Sequence, residues 1–269
     1  MKIKNLSIPY SIWLVIFIVI PMLLVLYYSF TVSGEFTLEG YKRIIDPLYI
    51  GVILKSVKLA FFSTVWCVLI GYPIAYILAK QEFVTKEFLI FLFVAPMWLN
   101  ALVRTYSWLT ILENNGLINS FLAFLGFEKV QLLYTDFAVM LGMVYNFLPF
   151  MILPIFTVLR KLDKSLIEAA SDLGATWIQT FRKIIIPLSL GGVISGATMV
   201  FMPALTTFAI SNILGGGQYI LVGNLIEQQF LRVGDWNFGS ALSLLIITVI
   251  LITMIIFPES ENAERGGLF

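Results

Sequence analysis

The chain has 269 residues, of which 59% are hydrophobic and only 12% are charged, and its formal net charge is +1. Soluble domains carry about 25% charged residues, so this composition indicates an integral membrane protein. Lysines and arginines are dispersed along the chain, so no broad basic face is predicted and we expect no nucleic-acid partner.

The residue types present also exclude several kinds of catalytic and metal site. The chain contains no histidine and one cysteine, Cys67, which lies in an apolar run. Imidazole metal sites, cysteine clusters and Ser-His or Cys-His nucleophile pairs are therefore excluded. No G-x-x-x-x-G-K-S/T phosphate loop is present, so we expect no nucleotide site of that kind on this chain. We expect no metal, no cofactor and no enzymatic activity on this chain.

Six windows are long and apolar enough to span a membrane, whose hydrocarbon core of about 30 Å takes roughly twenty residues. The windows cover about 10–31, 56–78, 88–112, 135–158, 187–212 and 238–257. The first follows the basic start MKIKNL without a small-residue cleavage site, so it is predicted to be an uncleaved span. Residues 1–257 are thus predicted as one transmembrane domain. The acidic tail 258–269 is either a natural ending or a remnant of cloning.

Basic residues between the windows predict an orientation. One side of the membrane would hold nine of them, five in the loop 159–186, and the other side would hold seven, counting Arg104 in the third window. Cytoplasmic loops carry the excess of lysine and arginine, so the N-terminus, the loop 159–186 and the tail are predicted to be cytoplasmic.

The loop 159–186 has the pattern of two short amphipathic helices. Asp163 can cap the first helix, with Ser165 and Glu168 as an alternative capping box, and Gly174 supplies the left-handed turn that ends it. Thr176 and Gln179 offer a cap for the second helix, which is predicted to give way to the fifth span at Pro187. Amphipathicity alone leaves interfacial packing open as the purpose of this hairpin.

The stretch EAASDLGATWIQTFRKIIIP resembles the cytoplasmic loop signature of bacterial ABC-importer permeases: E-A-A, three residues, G, nine residues, I-x-L-P. Ile186 replaces the leucine. Further stretches between residues 10 and 257 resemble the first of the two permeases of spermidine/putrescine importers. The resemblance implies an all-α fold, namely the six-helix transmembrane bundle of type I ABC importers with a cytoplasmic coupling helix-turn-helix.

The same resemblance implies the partners and the coupling residues. The expected assembly contains a second homologous permease, two copies of an ATPase subunit that hold ATP and Mg²⁺, and an extracytoplasmic substrate-binding protein. The coupling helix would dock in a groove of the ATPase, and its movement with the ATPase would drive alternating access. The residues expected to contact the ATPase are Glu168, Ala169, Ala170, Asp172, Leu173, Gly174, Ala175 and Trp177.

A path for a polyamine needs carboxylates to balance its ammonium groups and aromatic faces for cation–π contact. Candidates in or near the spans are Trp98, Asn100, Tyr106, Trp108, Asp136, Tyr145, Asn146, Glu227, Asp235 and Trp236. Taken singly, each aromatic fits a packing or interface-belt role better, and each acid at the outer end of a span fits a solvated position better. Arg104 is unexpected on a cation path. We expect it to pair with Asp136 or Glu113 as a structural link, with a role in a gate as the alternative.

Other functions are less well supported by the sequence. An intramembrane hydrolase would need a G-x-S-x-G serine with histidine or a G-x-G-D aspartate, and neither is present. A passive channel fits the hydropathy but gives the hairpin no function. Within the importer class, an opine or another small organic cation is the alternative cargo.

Overall fold

The computed structural model describes residues 7–80, 88, 91–217 and 219–256, and these are almost entirely helical. The first part contains α1 (Ser7–Leu14), α2 (Ile20–Phe30), α3 (Glu39–Ile44), α4 (Pro47–Lys80), α5 (Ala101–Leu112) and α6 (Leu117–Phe124). The second contains α7 (Asp136–Arg160), α8 (Lys164–Asp172), α9 (Trp177–Thr180), α10 (Ile186–Thr206), α11 (Ala209–Leu214), α12 (Val222–Gln228) and α13 (Trp236–Ile256). After α2, two strands of two residues each, β1 (Thr31–Val32) and β2 (Glu35–Phe36), pair antiparallel as a hairpin.

Five continuous helices of the described chain are long and apolar enough to cross a membrane. They cover Pro9–Phe30, Pro47–Lys80, Asp136–Arg160, Trp177–Thr206 and Trp236–Ile255. They correspond to the predicted windows 10–31, 56–78, 135–158, 187–212 and 238–257. The second helix begins at Pro47, well before the predicted start of that window at residue 56. The tail 258–269 lies outside the described residues.

The third window, 88–112, does not form one continuous helix in its described part. A helical stretch at 91–94 leads into a 3₁₀ turn, Ala95–Trp98, and the chain is extended at Leu99 before α5 begins. Pro96 lacks an amide hydrogen, and the Asn100 side chain accepts a hydrogen bond of 2.8 Å from the Leu102 amide, which caps α5. Asn100 was predicted inside a span, but it marks the start of a new helix.

The fifth window needs a correction at both ends. Pro187 does not separate the second short helix from the span, because α9 continues through a π-helical turn, Phe181–Ile185, into α10. The wider turn accommodates a proline, which clashes with the carbonyl group of the preceding turn. At the other end α10 stops at Thr206, and α11 forms a separate helix.

Helices α4, α7 and α10 form the centre of the bundle. Glycines of α10 bring it close to α7: a Cβ atom on Gly192 would lie 2.9 Å from the Pro154 carbonyl oxygen, and one on Gly196 would lie 2.8 Å from Met151 Sδ. The small residues of GGVISG, at 191–196, therefore allow the two helices to approach closely. Cys67 of α4 is fully buried against this group.

A buried amide holds together the segments after α10. Asn224 accepts hydrogen bonds from Ser211 Oγ (2.6 Å) and the Leu221 amide (3.0 Å). Its Nδ2 donates to the Phe208 carbonyl (3.1 Å) and to Asn212 Oδ1 (2.7 Å). One side chain thus satisfies polar groups that would otherwise be orphaned where the span ends.

The first membrane-length helix lies at the side of the bundle. None of the most apolar part of Pro9–Phe30 is buried within the chain, and α2 packs against α13. Asn237 Nδ2 of α13 donates to the Tyr28 carbonyl (2.9 Å) and fixes the end of α2. Lys80, Arg160 and Ile185 line one cavity at the same end of the bundle. That end carries the hairpin of residues 161–185 and is called the hairpin end below.

Candidate functional site

Local hydrogen bonds build the coupling hairpin. Asp163 caps α8 by accepting a bond of 2.9 Å from the Ser165 amide, and this bond lowers the pKa of the Asp163 carboxyl below its ordinary value. At the other end of α8, Gly174 has φ +76°, the Gly174 amide donates to the Ser171 carbonyl, and the Ala175 amide donates to the Ala170 carbonyl (both 2.9 Å). This pair of bonds defines a Schellman motif. The cap at Asp163 and the left-handed glycine are as predicted.

The second helix of the hairpin starts with the predicted capping box. The Thr176 amide donates to Gln179 Oε1 (2.8 Å), and the Gln179 amide donates to Thr176 Oγ1 (3.4 Å). Both ends of the turn therefore have their backbone groups satisfied by short-range bonds. The turn therefore has a fixed conformation, as a surface that docks on another protein requires.

The tip of the hairpin exposes apolar side chains. Leu173 is 88% exposed and Trp177 is 59% exposed, while Ala170 is buried. Glu168, Ala169, Asp172 and Gly174 are also exposed, and Ala175 is half-buried. The apolar face predicted on α8 is thus largely unburied within this chain, at Leu166 as well as at Leu173. Exposed leucine and tryptophan beside charged residues are typical of a surface that binds another protein.

Aromatic rings connect the hairpin to the spans. Trp177 stacks on Phe181 with ring centroids 5.2 Å apart, and Phe181 meets Tyr76 of α4 edge-on at 5.3 Å. Tyr72, one turn away, lies 6.0 Å from Phe181, and its hydroxyl is 2.7 Å from Ser189 Oγ of α10. These contacts connect the hairpin to α4 as well as to α10. The sequence reading missed the two tyrosines, although their spacing of four residues places them on one helix face.

Four of the polar and aromatic candidates inside the bundle come together. Trp108 and Tyr145 meet edge-on with centroids 5.4 Å apart, and the Arg104 guanidinium lies 5.9 Å from the Tyr145 ring. Asn146 is 4% exposed, and its Nδ2 donates to the Gly142 carbonyl (2.9 Å). Arg104 Nε and Asn146 Oδ1 are buried without a hydrogen-bond partner among the described residues.

The expected ion pair of Arg104 with Asp136 or Glu113 does not form. Asp136 instead lies 3.5 Å from Lys55 Nζ. The reason is helix geometry, because Asp136 precedes Tyr145 by nine residues and Glu113 follows Arg104 by nine, which is about 14 Å along each helix. The acids lie at the helix ends, whereas the guanidinium lies deeper.

The remaining acids lie at the end of the bundle opposite the hairpin. Asp235 forms an ion pair of 2.6 Å with Arg43, which raises the pKa of Arg43, and it also accepts from the Phe238 amide (3.0 Å). Glu227 accepts a bond of 3.2 Å from Asn212 Nδ2. Trp236 contacts Tyr28 with centroids 5.7 Å apart. Asp235 therefore stabilises the start of α13 and links it to Arg43 of α3.

Three candidates lie outside these groups. Trp98 and Tyr106 are 75% and 57% exposed, and Asn100 is exposed while it caps α5. The structure does not bring them to the cluster around Tyr145. Lys55 Nζ also lies 3.5 Å from the centroid of the Tyr219 ring, so Lys55 belongs to the packing at the end opposite the hairpin.

Comparison with known proteins places the fold in context. Residues 71–258 match the family described as "Binding-protein-dependent transport system inner membrane component". The chain is 40% identical over 259 residues to the spermidine/putrescine transport system permease protein PotB of Escherichia coli K12, which covers 93% of this chain and 94% of that protein. PotB of Haemophilus influenzae is also 40% identical, over 94% of this chain and 92% of that protein.

A solved structure shares the fold at low sequence identity. A chain of a bacterial ABC transporter involved in the import of alginate superimposes with a TM-score of 0.81 at 15% identity, over 98% of this chain and 96% of that one. The helical bundle described above is thus the permease fold of ABC importers. With the family match across most of its length, the chain belongs to the binding-protein-dependent transport system inner membrane components and is a multi-pass inner-membrane permease.

Proposed function

We propose that this chain is a permease subunit of an ATP-driven importer for a polyamine such as spermidine or putrescine. The observation that carries the importer mechanism is the capped, exposed hairpin of α8 and α9, which is continuous with α10 and stacked on α4. The cargo class is supported by the identity with PotB over nearly the whole chain. This chain is not itself an enzyme in the proposal.

The proposed partners follow from the same relatives. A related alginate importer has been solved in complex with a substrate-bound periplasmic protein, which supports an extracytoplasmic binding protein as the donor of cargo. The proposed assembly also contains a second, homologous permease and two ATPase subunits, which bind the ATP and Mg²⁺. Glu168, Asp172, Leu173 and Trp177 present the charges and apolar surface for the ATPase groove.

The hairpin must then face the cytoplasm, and the N-terminus lies on the same side. Five cations in and beside the hairpin support this orientation: Arg160, Lys161, Lys164, Arg182 and Lys183. ATP binding would close the ATPase dimer, move the docked hairpin and, through the Phe181 stack, reorient α4 and α10. A hairpin exposed on the outer face, shown by labelling of a single introduced cysteine with an impermeant reagent, would contradict the proposal.

The structure favours particular candidates for the cargo path. Among the described residues, Asp136 and Asp235 are each matched by a cation, Lys55 and Arg43, whereas Glu227 contacts only the neutral Asn212. An acid that lacks a protein cation is free to balance an ammonium group. Glu227 is therefore the proposed acid at the entrance to the path.

Deeper in the bundle, the Trp108–Tyr145 pair offers aromatic faces, and Asn146 Oδ1 offers a buried acceptor without a partner among the described residues. Arg104, which stands beside Tyr145, would repel a cation that pauses there and is proposed as part of a gate. Trp98, Asn100, Tyr106 and Trp236 are weaker candidates, because they are exposed or serve as a helix cap.

Uptake of labelled spermidine into proteoliposomes tests the function. The vesicles contain both permeases, with ATP and the ATPase enclosed and the binding protein outside. Gly174→Asp should leave the protein inserted but abolish ATP-coupled uptake, and Glu227→Gln should raise the spermidine concentration for half-maximal rate. If an opine or another organic cation is transported and spermidine neither enters nor competes, the cargo is the alternative one. Normal transport-stimulated hydrolysis with Gly174→Asp would contradict the coupling role.

A further inference from the structure

A second concave site lies beneath the hairpin. A cavity of about 500 Å³ opens between the ends of α4 and α7 and the start of α8. Its charged lining consists of Lys80, Arg160 and Lys164 with a single acid, Glu168. The volume falls in the range of about 300–1,000 Å³ that small-molecule sites occupy. Three cations and one acid leave an excess of positive charge in this space, so it suits an anion.

The cations of this cavity keep their charge available. Neither Lys80, Arg160 nor Lys164 forms an ion pair with a carboxylate in the part of the chain that the structure describes. Lys80 Nζ lies over the Tyr76 ring at 4.4 Å from its centroid, a contact that orients the ammonium group without neutralising it. An anion that entered the cavity would replace water instead of breaking an existing ion pair.

The position of the cavity selects the kind of anion. Lys80 is the last residue of α4 and Arg160 the last of α7, and both helices are of membrane-spanning length, so the cations lie at the depth of lipid headgroups. The rest of the lining includes Leu159 and Ile185, which are buried and apolar. An amphipathic ligand matches both parts, whereas a soluble anion or an acidic peptide would use the cations alone.

We propose that this cavity binds the phosphate headgroup of an anionic phospholipid of the inner leaflet. The inference rests on the cytoplasmic location of the hairpin end proposed above. Basic pockets between transmembrane helices on the cytoplasmic side recognise such headgroups. Because Glu168 belongs both to this lining and to the hairpin, the bound lipid would lie directly beneath the surface that meets the ATPase.

Lipid binding to the full-length protein tests the proposal without ATP or cargo, so failure here is distinct from failure of the importer function. Native mass spectrometry of the purified chain compares phosphatidylglycerol with phosphatidylcholine of the same acyl chains. Wild type should prefer phosphatidylglycerol. Arg160→Gln and Lys164→Gln should each weaken it about fivefold, the effect of removing one cation near an anionic surface. Glu168→Gln should strengthen binding, and Arg160→Lys should retain it.

Arg182→Gln is the matched control, because it removes a cation from an exposed position of the same loop outside the cavity. Binding should be unchanged in this variant. The proposal is overturned if both lipids bind equally, if Arg182→Gln weakens binding as much as Lys164→Gln, or if inorganic phosphate competes as effectively as the lipid. It is also overturned if the cavity variants impair docking of the ATPase subunit while lipid binding stays unchanged, which would identify a protein interface.

Discussion

Replacement of Gly174 by alanine isolates the turn of the coupling hairpin. The residue has φ +76°, and a Cβ atom at this position would meet no atom within 4 Å. The substitution therefore introduces no clash, and its cost is backbone strain alone, about 1–2 kcal/mol for a side chain in the left-handed region. That strain opposes the two hydrogen bonds that close α8 onto the turn.

The strain translates into a measurable loss of docking. A difference of 1–2 kcal/mol changes an equilibrium by about five- to thirtyfold. If the ATPase recognises only the closed turn, its apparent affinity falls by up to this factor, since affinity scales with the populated fraction of the competent form. Insertion should be unaffected, because Gly174 lies outside the membrane-length helices. Asparagine tolerates the left-handed region better, so Gly174→Asn should fall between alanine and wild type.

The measurement is the Kd of the ATPase subunit for the two-permease complex in nanodiscs, together with transport-stimulated hydrolysis. Gly126→Ala is the control, because Gly126 has φ +83° and equally open surroundings but follows α6, away from the hairpin. The reasoning is refuted if Gly174→Ala binds the ATPase as wild type does, or if Gly126→Ala weakens binding to the same extent.

Three further predictions test other parts of the structure. Phe181→Ala removes the ring between the hairpin and α4 and should reduce coupled hydrolysis several-fold while docking of the ATPase persists; equal losses in both would argue against a transmitting role. Asn224→Ala deletes four hydrogen bonds, two of them buried and two part-buried, and should lower the free energy of unfolding by about 1–3 kcal/mol per orphaned group. An unchanged thermal unfolding midpoint would count against the network. Gly223→Ala should destabilise strongly, because its Cβ would clash with the Thr206 carbonyl oxygen, whereas Gly51→Ala in open space within α4 should stabilise by up to about 1 kcal/mol. Thermal unfolding measures both glycine variants, and a lower midpoint for Gly51→Ala than for Gly223→Ala would contradict this packing.

The positions of the path candidates show where sequence reasoning stops. Hydropathy identified a polar group in an apolar window at both Asn100 and Asn146, yet the first is an exposed helix cap and the second is buried beside Thr105. The two have the same local pattern. They differ because the helix is interrupted at Leu99. The interruption results from Pro96, which lacks an amide hydrogen, and from the Asn100 cap, and hydropathy does not detect these local hydrogen-bonding effects.

Arg104 illustrates a second limit. The acids nearest in the predicted topology are Asp136 and Glu113, but each is separated from the level of the guanidinium by about 14 Å along its helix. Asp136 meets Lys55 instead. Pairing between helices depends on their relative height in the bundle, which the sequence of each helix does not encode.

The sequence by itself determined that five membrane-length helices and the hairpin exist, because both features arise from interactions a few residues apart. Apolar length sets the spans, and Asp163, Gly174 and the Thr176–Gln179 pair set the ends of short helices through bonds within one turn. Only the tertiary structure decided that Phe181 contacts α4 and that Trp108 lies against Tyr145. It also decided that three cations line one cavity beneath the hairpin. Those contacts join residues far apart in the chain, and only the packing of the helices brings them within reach.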